Sequence, residues 1–160
     1  VASPEQPDHD RPVILVSACL LGVACNHLGQ ASPNKEVMAL EASARLVAVC
    51  PEVVGGLPTP RPAAERSPDG RVQTAEGADV TSFYERGATH AVTLARAVGA
   101  GRAIMKARSP SCGCGRIYDG THRHLLRDGD GVTVAALRKA GIEVISDEDL
   151  PIKPPDGSPG

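Results

Sequence analysis

Aromatic surface is nearly missing from this sequence, which has one Phe, two Tyr and no Trp in 160 residues. Successive bases of a single strand need π-faces to stack on, and this chain has no platform for them. Excess positive charge is missing too: the formal net charge is -2, so there is no electrostatic footprint for a nucleic-acid polymer. No apolar run approaches the roughly 20 residues that a membrane-spanning helix requires. Val1 to Asp10 lack the basic start and apolar stretch of a secretory signal. These absences leave a small molecule as the expected partner and the cytoplasm as the expected compartment. An even cysteine count is also lacking. There are five, and in a reducing compartment such thiols are better candidates for metal ligation or catalysis than for a disulfide framework.

What is present is ordinary for one globular domain: 41% apolar residues in a chain long enough for a single core. The expected organisation is a domain over residues 11–150 between flexible tails at 1–10 and 151–160. The second tail is rich in proline and glycine.

Short, well-bounded apolar runs read as buried strands at 12–17, 46–50, 102–106 and 142–145. Between them, Ser32 reads as the cap of a helix with Pro33 in its first position, running to about Ala44. From Asp79 the spacing Val80, Tyr84, Ala88, Ala91, Leu94, Ala95, Val98 follows a helical face, with Ser82 and Glu85 as a capping box. A further helix spans 131–141 and closes on a glycine. The segment Pro51 to Pro62 reads as irregular because its prolines and Gly-Gly pair break ladders and helices, and residues 71–74 as a short strand or hairpin arm. Asp147 to Leu150 reads as a final turn. Strands alternating with helices imply an α/β fold: a single three-layer domain with a mainly parallel sheet, Rossmann- or flavodoxin-like.

Cys19, Cys50 and Cys112 each follow one of the predicted strands. In an open parallel sheet such ends share one edge, where ligands bind. Three thiolates from distant loops suit a zinc ion or an iron–sulfur cluster, with one position left open for substrate. Glu52 stands two residues beyond Cys50, within reach as a general acid or base. Ser109, Ser111 and the backbone N–H groups of Gly113 and Gly115 are expected to donate to a polar substrate atom, and Arg61 to clamp a phosphate. Simpler readings stand beside these. A buried cysteine is most often an apolar filler, which applies most to Cys25 and Cys114. Glu52 alone more often makes a turn contact, and Arg61 is more often a surface cation. His122 and His124 have metal-ligand spacing but lie in a loop beside Arg123, and His27 adjoins the Cys25 loop. A zinc hydrolase and a non-catalytic metal or redox sensor using the same cysteines remain open at this point.

Six blocks then resemble, in order, one family: Cys19-Leu20-Leu21-Gly22; Cys50-Pro51-Glu52-Val53 with Gly55-Gly56-Leu57 and Pro60-Arg61; Asp79-Val80-Thr81; Ser109-Pro110-Ser111-Cys112-Gly113; Tyr118-Asp119-Gly120; and Gly131-Val132-Thr133. The family, once known only as a domain of unknown function, contains thiouracil desulfidases, and the resemblance covers residues 12–148. It implies a 4Fe-4S cluster on Cys19, Cys50 and Cys112 with the fourth iron open, binding the sulfur of 4-thiouracil or its nucleoside or nucleotide. It further implies a non-redox exchange of that sulfur for water oxygen, giving uracil and hydrosulfide, with Glu52, Ser109 and Ser111 as catalytic groups. Where the family commonly has Arg-Tyr-Asp-Gly, this chain has Asn26-His27-Leu28-Gly29, without that cation or aromatic.

Overall fold

Strand β1 (Val13–Ser17) is buried along its whole length, as a strand covered on both faces must be. Val13 and Leu15 enter one core cluster, and Ile14 and Val16 enter another on the opposite face. The computed structural model describes residues 7–151. Most of the two expected tails lies outside the described residues, and Asp8–Asp10 form a 3-10 turn.

Helix α1 (Lys35–Ala39) is shorter than predicted and has a different cap. Asn34 Oδ1 accepts from the N–H groups of Glu36 and Val37, while Ser32 and Asn34 donate their own N–H groups to Cys19 O and Leu20 O. Residues 32–34 are thus spent on holding the loop after β1. After a 3-10 turn at Leu40–Ala42 comes β2 (Arg45–Val49). Helix α2 (Pro51–Val54) corrects the expectation of irregular chain. Proline breaks a helix interior, but at the first position its missing N–H costs nothing and its fixed φ suits the turn.

Strands β3 (Ala64–Arg66) and β4 (Val72–Thr74) form an antiparallel hairpin. The long helix α3 (Thr81–Val98) buries Tyr84, Ala88, Ala91 and Ala95, the face read from the spacing. Its expected Ser82–Glu85 box is absent; Asp79 Oδ1 instead accepts from Thr81 N at 2.9 Å. Next come β5 (Arg102–Met105) and a second hairpin of β6 (Arg116–Tyr118) and β7 (Leu126–Asp128). Helix α4 (Val132–Lys139), β8 (Glu143–Ser146) and a 3-10 turn at Asp147–Asp149 end the described chain.

The four-stranded sheet has the order β2-β1-β5-β8, every pair parallel. Residues of α3 and α4 pack with one face, and α1 with the turn after β1 packs with the other, which is the expected three-layer α/β arrangement. From β2 the chain passes β1 to build β5, so the strand order reverses between β1 and β5. That reversal opens the crevice in which such sheets bind ligands. No described helix is long and apolar enough to cross a membrane.

Helices α2 and α3 approach backbone to backbone at two glycines. A Cβ on Gly87 would strike Pro51 O, and one on Gly55 would strike Phe83 O, both at backbone atoms that cannot swing aside. Gly87→Ala is therefore expected to cost about 2 kcal/mol through overpacking, measured by urea unfolding. An unchanged midpoint would show that α2 recedes freely.

Candidate active site

A cavity of about 420 Å³ lies at the reversal point, with Cys19, Cys25, Cys50, Glu52, Ser109 and Cys112 in its wall. Each cysteine is delivered by its own local device. Cys19 sits in a 3-10 turn (Ala18–Leu21) directly after β1, anchored by buried Leu20 and ended by Gly22 at φ +94°. Cys50 links β2 to α2. Cys112 is fixed by Ser109, whose Oγ accepts from Ser111 N at 3.1 Å and Cys112 N at 3.0 Å. Ser109 also lines the cavity, and its own hydroxyl proton has no acceptor among the described residues.

Ser111 is placed otherwise than expected. Its side chain is fully buried and shares a 2.9 Å hydrogen bond with Thr133 Oγ1, tying the Cys112 loop to α4. The N–H of Gly113 is taken by Ser109 O and that of Gly115 by Asp130 Oδ1, so neither is free for substrate. Cys114 faces away from the cavity, where it accepts from Arg138 Nη2 at 2.8 Å and donates toward Val144 O.

Cys19, Cys25 and Cys112 resist ionisation. Burial pushes Cys112 far above the ordinary thiol value, partly opposed by a hydrogen bond from Ser17. Burial also raises Cys19 and Cys25, and for both the next cause is the neighbouring Cys50. Charges on these sulfurs would oppose one another, which a cationic centre between them relieves. No three His, Cys, Asp or Glu side chains among the described residues are grouped to hold a single metal ion. Cys19, Cys25, Cys50 and Cys112 nonetheless line one cavity. The soft donor set therefore fits an iron–sulfur centre.

Arg61 is not the phosphate clamp that its position in the loop suggested. Its side chain is 3% exposed. Nε donates to Glu52 Oε1 at 3.1 Å, Nη1 to Pro58 O and Thr59 Oγ1, and Nη2 to Cys25 O at 2.8 Å and toward Cys50 Sγ at 4.0 Å. A guanidinium has five N–H donors, and these five acceptors leave none for an anion. Burial alone would favour the neutral form, but Glu52, with smaller contributions from Cys50 and Tyr84, reverses that and keeps Arg61 charged. Tyr84 also donates to Glu52 Oε1, at 2.6 Å. Burial and the adjacent carboxylate push its hydroxyl well above the usual phenol value.

The rim of the cavity includes Asn26, His27, Lys106, Tyr118 and His124. His124 adopts φ +59° and meets Tyr118 edge-on, with ring centroids 6.5 Å apart. His122 is not in the wall; its Nδ1 lies 3.5 Å from Glu65 Oε2, while Glu65 Oε1 accepts from the N–H groups of Gly120 and His122.

Residues 14–149 match the 2-thiouracil desulfurase family. The chain belongs to that family. One solved structure, titled as a [4Fe-4S]-dependent thiouracil desulfidase, is 47% identical and superposes with a TM-score of 0.82 over 88% of this chain and 94% of the other. The uncharacterized protein YbbK of Bacillus subtilis (strain 168) is 38% identical over 147 residues, covering 86% of this chain and 97% of its own.

In this member of the 2-thiouracil desulfurase family, Tyr84 belongs to the site as well as to the buried face of α3 that its sequence spacing shows. The available signal was its chemistry: a buried tyrosine needs a partner for its O–H. Cys25, for which the sequence favours an apolar filler role, lines the same cavity. Arg61→Met leaves Glu52 nearly buried without its cation, and is expected to destabilise the protein by about 3 kcal/mol. Chemical denaturation measures this; a change within the scatter of surface substitutions would mean that Arg61 is not a structural ion-pair partner.

Proposed function

We propose that the protein is a 4Fe-4S-dependent thiouracil desulfidase that exchanges a thiocarbonyl sulfur for oxygen. The single observation supporting it most strongly is the delivery of Cys19, Cys50 and Cys112 by three adjacent parallel strands to one cavity that also contains Glu52. In balanced form, the C=S compound and water give the C=O compound and hydrogen sulfide. No electrons are exchanged.

Cys19, Cys50 and Cys112 would hold the cluster. When bound, it supplies a soft Lewis-acid position for the substrate sulfur. Glu52 takes a proton from the attacking water and returns one as sulfur leaves, acting as base and then acid. Ser109 directs its unclaimed hydroxyl proton at a polar atom of the base. Ser111 acts at one remove, holding the Cys112 loop through Thr133. Because Arg61 is fully engaged, any phosphate on the substrate must meet the rim, where Lys106 and His27 stand. The site is proposed for 4-thiouracil or its nucleoside or nucleotide, carried by one domain over residues 11–150 in a reducing cytoplasm.

Anaerobic reconstitution is expected to give a brown protein that releases hydrosulfide, assayed side by side on 2-thiouracil, 4-thiouracil, 4-thiouridine and its monophosphate. A colourless protein with one stoichiometric zinc overturns the reading. Alanine at Cys19, Cys50 or Cys112 is expected to lose bound iron and sulfide, whereas Cys114→Ala retains them. Glu52→Gln is expected to keep the cluster while kcat falls about 100-fold or more, the usual weight of a general acid–base group. Full activity in that variant removes Glu52 from the mechanism.

A further inference from the structure

We infer that Tyr84 and Arg61 are positioning residues that clamp Oε1 of Glu52, so that Oε2 alone is presented to the substrate and attacking water. This rests on the desulfidase reading and assigns roles within that site.

Both hydrogen bonds to the carboxylate converge on one oxygen: Tyr84 Oη–H at 2.6 Å and Arg61 Nε–H at 3.1 Å. No hydrogen bond to Oε2 occurs among the described residues. The donors come from separate elements, Tyr84 from α3 and Arg61 from the segment between α2 and β3, so the carboxylate is held from two directions. Neither donor can wander. Tyr84 is 1% exposed on a helix whose backbone abuts α2, and the other N–H groups of Arg61 are bound to Pro58, Thr59 and Cys25 or directed at Cys50. Glu52 keeps 14% of its side chain exposed toward the cavity it lines. A carboxylate with one oxygen pinned and the other free is held ready for one proton-transfer direction, and the orientational cost is met in folding rather than in each turnover. The hydroxyl of Tyr84, held protonated by burial, acts as a fixed donor.

The test uses the reconstituted holoenzyme for rates and the apoprotein for the contact itself. Tyr84→Phe retains the ring and removes only the donor. Its kcat is expected to fall about 10-fold, the order of one hydrogen bond to a charged group, with KM held within about twofold and the visible spectrum and iron content unchanged. Arg61→Lys, which keeps the charge and loses the fork, is expected to show the same split and serves if the tyrosine variant folds poorly. In the apoprotein, urea midpoints of Tyr84→Phe, Glu52→Gln and the double variant are expected to be non-additive. A Tyr84→Phe enzyme with wild-type kcat and a full cluster overturns the inference, as do additive midpoints. Wild-type protein with a full cluster and no hydrosulfide release from any thiouracil compound overturns the proposed function instead, and the apoprotein cycle then still reports whether the clamp exists.

Discussion

The parallel pairing of β1 with both β2 and β5 is the constraint on which the site depends. Hydrogen bonding in register brings the C-terminal ends of the three strands to one edge, Ser17 opposite Val49 and Val16 opposite Ile104. Whatever follows those ends must share a crevice. Cys19 and Cys50 come within three residues of their strands, and Cys112 follows after the short Ser109 loop. Local devices then refine the placement: a left-handed glycine after the Cys19 turn, a proline-started helix after Cys50, and two N–H groups folded onto Ser109 before Cys112.

Arg61 is the second organising element, acting inside the frame that the sheet provides. Its buried guanidinium connects the Cys25 loop, the approach of the chain to Arg61 itself, the Cys50 thiol and the Glu52 carboxylate. The charge is retained against burial because a carboxylate faces it. Removing either partner strands the other in a poorly solvated place.

Much of the frame was legible in the sequence, since buried strands betray themselves as short apolar runs and parallel order follows from the helices between them. The strand-end positions of Cys19, Cys50 and Cys112 carried the cavity with them. What was not legible depended on where an element begins or on contacts distant in the chain. Pro51 looked like a breaker because its role depends on where the helix starts. Arg61 looked free because its partners exist only once the segment has folded back. Ser111 looked like a substrate contact until Thr133, 22 residues on, took its hydroxyl. Tyr84 and Glu52 are 32 residues apart, and no local pattern announces that pairing.

The glycine-to-backbone seam between α2 and α3 has a consequence for where the cavity tolerates substitution. With Gly55 and Gly87 admitting no side chain, the Cys50–Glu52 segment and Tyr84 are welded into one rigid unit. Asn26, His27, Tyr118 and His124 line the same cavity outside that seam, so exchanging any of them leaves the contact between Tyr84 and Glu52 in place.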